Sequence, residues 1–220
     1  MKLDKSSQQG VRSDLADIVG THFRSEWQRP IGAHSTAAFE AVRDRVEASA
    51  APLIIDSCCG TGDSTRNLAA AFVDALVLGV DKSAHRLARH RDGDAQNYIM
   101  LRADVNDFWR LAVDAGWRPA RHYLLYPNPY PKAAQIRKRW HASPAFPTLI
   151  KLGGVLTVRT NWALYAEEFA CALAVANRNV SRRILINEPP VSAFETKYQE
   201  RGHDLFEVVS DLNDRRTAAE

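Results

Sequence analysis

Apolar positions in the early part of the chain recur at helical spacing, then give way to short continuous runs. Phe39, Val42 and Val46 lie three and four residues apart, which predicts a helix over 34–50 that Pro52 ends. Six apolar runs then read as strands, at 53–56, 75–81, 98–101, 122–126, 154–158 and 183–186. Amphipathic stretches at roughly 63–72, 83–91, 105–115, 143–151 and 162–177 separate them and read as helices. Strand and helix alternating in this way are the signature of a parallel sheet covered on both faces. The near-continuous apolar run 76–80 fits such burial better than an alternating pattern would. A further apolar stretch, 204–209, is placed as an added edge strand. Residues 1–20 are polar without a sustained period and read as an arm or a frayed helix. One α/β domain over 34–220, behind a polar arm at 1–33, is the expected organisation.

Composition narrows the class. Apolar residues make up 45% and charged residues 25%, the ordinary globular mixture, which excludes wholesale disorder and collagen-like repeats. No uncharged apolar run reaches the length of a membrane span, and the N-terminus lacks the apolar centre of a signal peptide. A soluble, cytoplasmic protein without a membrane partner is the expectation. Cys58, Cys59 and Cys171 are too few for a disulfide framework and have no metal-ligand spacing, so no metal is expected. The net charge of +3, from 29 basic and 26 acidic side chains, says less than where those charges sit.

The chemistry concentrates where strands end. The first strand runs into Asp56-Ser57-Cys58-Cys59-Gly60-Thr61-Gly62-Asp63, and a helix follows. Gly60 and Gly62 allow a tight turn and a close backbone approach to a ligand, and the helix behind them offers free N–H groups. In an open α/β sheet this is the carboxyl edge, where ligands bind. Thr65 stands where a dinucleotide fingerprint wants a third small residue. Asp81 closes the second strand 21 residues after Gly60, placed to accept from ribose hydroxyls. Asp104 follows the third strand, placed to accept from an adenine amine. Carboxylates at three consecutive strand ends suit a ligand with an ammonium, a ribose and an adenine, and S-adenosylmethionine has all three. The fourth strand leads into Tyr126-Pro127-Asn128-Pro129-Tyr130-Pro131-Lys132, whose prolines make a rigid loop suited to positioning a substrate. Lys132, Arg137, Lys138 and Arg139 then place four cations in eight residues with no acid among them, a candidate phosphate-binding patch.

The order of these pieces, with Thr160-Asn161-Trp162 and Tyr165-Ala166 behind them and Thr196-Lys197-Tyr198-Gln199 late in the chain, resembles the bacterial tRNA (guanine-N7)-methyltransferase family. The resemblance spans roughly residues 50–203. It implies a class I, doubly wound Rossmann-like methyltransferase fold with a mostly parallel seven-stranded sheet and an antiparallel edge strand. It also implies that Asp56, Asp81 and Asp104, with Gly60 and Gly62, bind S-adenosylmethionine. Lys132, Asn161 and Thr196, Lys197, Tyr198 and Gln199 would meet a tRNA substrate, and Asn128 would stand in the catalytic loop.

Several positions depart from the family pattern. Asn128 and Asn161 replace aspartates, Tyr130 replaces a tryptophan, and Ala134-Gln135 replace an Arg-His pair. Guanine N7 carries its own lone pair, so its methylation needs no general base. The base does become cationic, and a carboxylate stabilises that charge better than an amide. Two other readings follow. Asn128-Pro129-Tyr130 is reminiscent of the N-P-P-Y loop of enzymes that methylate amino groups, and a cofactor-binding RNA-associated protein with little turnover would share the same features.

Overall fold

The computed structural model describes residues 8–215. Uninterrupted apolar runs become central strands: β1 (Leu53–Ser57) and β2 (Leu76–Asp81) are buried along their whole length. With β3 (Tyr98–Arg102), β4 (Arg121–Leu125), β5 (Val155–Thr160), β6 (Ser181–Ile184) and β7 (Phe206–Asp211) they form one seven-stranded sheet. Its order is β3-β2-β1-β4-β5-β7-β6. Pairing is parallel from β3 to β5, and β7 runs antiparallel to both β5 and β6. The helices are α1 (Leu15–Arg24), α2 (Ala33–Glu47), α3 (Asp63–Ala71), α4 (Ala84–Leu87), α5 (Val105–Asp114), α6 (Phe146–Leu152), α7 (Ala163–Val175) and α8 (Ala193–Glu200).

Successive strand residues point to opposite faces, so neighbours join different cores. Ile55, Leu78, Leu124 and Val158 enter the larger core with side chains of α1, α2, α5, α6 and α7. Ile54, Val77, Tyr123 and Leu125 enter a smaller one with Leu68 and Ala69 of α3. Gly79 lets α3 lie close to β2, since a Cβ there would collide with the Thr65 side chain.

Three expectations are corrected. The stretch expected as a polar arm or a frayed helix holds a packed helix, α1, whose Leu15, Ile18 and Val19 are buried in the larger core. Three apolar positions at helical spacing suffice to dock it, although the surrounding residues are polar; residues 1–7 lie outside the described residues. The helix expected over 83–91 stops at Leu87. Past that point His90 turns back, its ring bonding the Thr61 carbonyl at 2.8 Å and the Tyr98 hydroxyl at 3.0 Å. The last strand described is not at the edge: β7 inserts between β5 and β6, and β6, exposed along its length, is outermost. Arg182 and Arg183 put charge on that edge, which discourages further strand pairing.

Beneath β1 and β4 lies a buried polar chain. Trp109 Nε1–H donates to Ser57 Oγ at 2.9 Å, and Ser57 Oγ hydrogen-bonds His122 Nε2 at 2.8 Å. Burial pushes the His122 pKa down to about 3. The unfolded chain therefore binds a proton here that the folded one refuses, and stability falls as pH drops below the ordinary histidine value of about 6.5. Between pH 7 and pH 5 this single group should remove about 2 kcal/mol. Urea unfolding across that range should show the loss, and His122→Gln should flatten it; an equal slope in both proteins would assign the loss elsewhere.

Candidate active site

The strand order reverses between β1 and β4, and the two chains leaving them diverge to open a crevice. Both exits hold a non-glycine residue in the left-handed region, Cys58 at φ 64° and Tyr126 at φ 49°. Such strain persists only where the surroundings over-determine it, and it marks functional loops. The β1 exit turns over β2 through the Cys58 and Cys59 N–H groups, which donate to the Val80 carbonyl at 2.8 and 3.2 Å. Gly60 and Gly62 follow at φ 64° and 82°. A Cβ on Gly62 would come within 2.5 Å of His90 Nδ1 and of Met100 Cε, so only glycine fits. At Gly60 the same atom would meet nothing within 4 Å, because that side is open.

This loop lines a cavity of about 770 Å³. Arg86, Arg89, His90 and Arg91 from the segment after β2 form one wall, and Phe194 and Lys197 of α8 form the other. Sequence reading passed over Arg89, Arg91 and Phe194; the signal available was the absence of any acid between Asp81 and Asp92.

The strand-end acids are all present, in different states. Asp56 is fully buried and accepts from the Ser64 and Thr65 hydroxyls at 2.6 and 2.7 Å. Burial pushes its pKa up to about 6, against the pull of those two hydroxyls. Its Oδ1 has no hydrogen-bond partner among the described residues, which leaves an acceptor behind the glycine loop for an ammonium or water. Asp81 shapes the loop: it accepts from Gly60 N–H at 3.0 Å and Ser83 N–H at 2.8 Å, and pairs with Arg86 at 2.9 Å. Asp104 caps α5 through the Asn106 N–H at 2.9 Å and also meets Arg29 at 3.3 Å. Burial raises the Asp104 pKa, but Asn106 and the Arg29 charge outweigh it and hold the group below its usual value. Burial pushes the Cys58 thiol up to about 12 and the Cys59 thiol upward as well, which disfavours the thiolate form that a nucleophile needs. The open face at Gly60, the idle Asp56 oxygen and two further acids fit S-adenosylmethionine.

The substrate candidates divide into two groups. Tyr198 of α8 packs on Tyr126 at 5.5 Å between ring centroids, and on His203 at 5.3 Å. Asn161 joins them, its Nδ2 at 3.3 Å from His203 Nδ1. Lys197 reaches the cavity, Thr196 faces a smaller hollow beside it, and Gln199 Nε2 donates to the Glu188 carbonyl at 2.9 Å. Asn128 and Lys132 stand apart, exposed on a proline loop that is otherwise buried or half-buried, and Asn128 Oδ1 accepts from Tyr130 N–H at 3.3 Å.

The basic run is only partly a surface. Arg137 and Lys138 are exposed, but Arg139 is fully buried. Its guanidinium pairs with buried Glu168, donates to the Tyr130 carbonyl at 3.0 and 3.2 Å, and lies 4.7 Å from the Trp162 ring. Arg139 is therefore removed from the expected phosphate patch, because it is committed to an interior ion pair that holds the proline loop. Among the described residues there is no cluster able to hold a metal ion and no helix long and apolar enough to cross a membrane.

Comparison with known proteins gives a consistent result. Residues 50–209 match the family described as "Putative methyltransferase". The tRNA (guanine-N(7)-)-methyltransferase of Stutzerimonas stutzeri is 30% identical over 183 residues, covering 79% of this chain and 76% of that protein. Among solved structures, the 16S rRNA methyltransferase KamB aligns with a TM-score of 0.57 at 15% identity, over 83% of this chain and 95% of the other. A 16S rRNA (adenine(1408)-N(1))-methyltransferase from Catenulisporales acidiphilia, solved with its cosubstrate SAM, aligns with a TM-score of 0.53 at 15% identity, over 80% and 91%.

Proposed function

Because the chain belongs to the tRNA (guanine-N7)-methyltransferase family, we propose that it transfers the methyl group of S-adenosylmethionine to N7 of a guanine in tRNA. The observation that carries this reading is one cavity at the β1/β4 crevice, lined both by the glycine loop and by the α8 segment that holds Lys197. Such a substrate puts its work in the cytoplasm.

S-adenosylmethionine, when bound, supplies a methyl group on a positively charged sulfur, an electrophile that requires no metal. Gly60 and Gly62 let the backbone approach the cofactor, and Asp56 offers its unused oxygen to the ammonium. Asp81 would take the ribose hydroxyls with its remaining lone pair, Arg86 giving way. Asp104 would accept from the adenine amine by releasing the Asn106 side chain, which now donates to it at 2.7 Å. The incoming nucleophile needs no proton removed, so the chain's task is alignment and exclusion of water. Asn161, Thr196, Tyr198 and Gln199 bound the side from which the base arrives, Lys197 reaches toward its phosphate, and Lys132, Arg137 and Lys138 hold the RNA backbone. Asn128 faces the base with an amide oxygen, a weaker partner than a carboxylate for the charge that forms there.

Methyl transfer to unmodified tRNA, followed by nucleoside analysis, tests the assignment. 7-Methylguanosine supports it, and N-methylated adenosine or cytidine would point to amino-group chemistry. Neither product, from folded and cofactor-bound protein, would remove tRNA as the substrate. Asn128→Asp keeps an acceptor for Tyr130 N–H and should raise turnover roughly tenfold, equivalent to about 1.4 kcal/mol of transition-state stabilisation. Unchanged or lower turnover on guanine would show that the loop does not face the forming charge.

A further inference from the structure

The segment after β2 carries as many formal positive charges as the run on the proline loop, four in each. Lys82, His85, Arg86, Arg89, His90 and Arg91 stand between Asp81 and Asp92 without an acid among them. Two of these are already engaged: Arg86 pairs with Asp81, and His90 bonds Thr61 and Tyr98. Arg89 and Arg91 are exposed, line the cavity, and have no ion pair among the described residues. Across the cavity Lys197 is likewise exposed, without an ion pair among the described residues. The acid on the cavity wall, Asp63, is already held by Arg66 at 3.1 Å and by the Thr61 hydroxyl at 2.6 Å. The cleft therefore carries uncompensated positive charge on both walls.

An aromatic surface accompanies it. Phe194 is 49% exposed, although it is a large apolar side chain beside a cavity. Its ring stacks on Tyr198 with centroids 6.3 Å apart and planes 24° from parallel, and Tyr198 rests in turn on Tyr126. Phe194 is thus a supported ring with a free side. Cations that track a backbone, beside an aromatic ring on which a base can stack, are the combination that binds unpaired nucleic-acid strands. Such strands also expose the base edges an RNA-modifying enzyme must reach.

We propose that this cleft binds an unpaired stretch of the RNA substrate, with Arg89, Arg91 and Lys197 on its phosphates and Phe194 stacked on a base. The inference rests on the RNA-methyltransferase reading and adds to it the surface and the strand type. Exposed Asp92 and Asp94 mark where the cationic strip ends, so the strand leaves the cleft before them.

Binding of unmodified tRNA, titrated over a range of salt, tests this. Arg89→Gln with Arg91→Gln should make the salt dependence shallower, by about 1.4 in log–log slope for two lost contacts to a single strand. Phe194→Ala should weaken binding about tenfold with the parent slope, and Phe194→Trp should restore it, because stacking is not ionic. Unchanged melting temperatures establish that the variants fold. Variants that bind tRNA with the parent's affinity and slope would overturn the cleft assignment alone. A parent protein that does not bind tRNA would overturn the RNA reading on which it rests.

Discussion

Arg159→Met should lower stability by about 3–5 kcal/mol, because it strands buried carboxylates without their counter-charge. Arg159 leaves β5 toward α8, where it donates to Glu195 at 2.7 Å and to Glu207 of β7 at 2.8 Å, with Glu188 at 3.6 Å. Glu195 is fully buried, and burial already raises its pKa against the pull of Arg159. Without the arginine, Glu195 must take up a proton or leave the interior, and either outcome loosens α8. Phe194, Lys197 and Tyr198 travel with that helix, so KM for RNA should rise more than kcat falls. Urea unfolding reads the first effect and steady-state methylation the second. A loss below about 1 kcal/mol, within the range of an exposed pair, would show that the cluster is solvated and not a tether. Arg159→Lys should fall between, since it keeps the charge and loses the fork that serves two carboxylates at once.

Glu168→Ala is the second large perturbation. Glu168 lies on α7 with no exposure and meets Arg139, His141 at 3.2 Å and Gln8. Its removal leaves the Arg139 charge buried without an anion, a loss of about 3–5 kcal/mol. Replacing both partners by apolar residues, Glu168→Leu with Arg139→Met, should recover most of that stability, because neither charge then requires desolvation. Function should not recover with it. Arg139 also donates to the Tyr130 carbonyl, so the double variant frees the proline loop, and turnover should stay low while the melting temperature returns. Recovery of both together would show that the loop is held by its prolines alone.

Much of this molecule is legible in its sequence where a local pattern has one physical solution. A run such as 76–80 has no polar position to present to water, so it becomes a strand covered on both faces. Gly60 and Gly62 between a strand and a helix leave little besides a ligand-facing turn, and Gly60 lines the cavity. Reading fails where the deciding partner is remote. Arg139 looks like part of a surface patch because its neighbours Arg137 and Lys138 are; the carboxylate that draws it inward is 29 residues away on another helix. The same holds for α1, whose three apolar residues acquire meaning only against α6 and α7. Phe194 and Arg89 lie more than a hundred positions apart, and no local pattern announces that they face one cleft.

The place of β7 bears on how the protein comes to exist during synthesis. The ribosome delivers β6 before β7, yet in the finished sheet β6 touches only β7. Until residues 206–211 emerge, β6 lacks its partner strand, and β5 presents an unpaired edge. Glu207 on the same strand supplies one of the carboxylates that receives Arg159, so α8 is secured only after β7 has been made. A nascent chain stalled before this point would hold its glycine loop and parallel strands but lack a secured α8 wall to the cavity. It would also expose the strand edge most prone to pair with another chain. The glycine loop and the α8 wall of the cavity are in this way separated in time along a single polypeptide, the second completed only by β7.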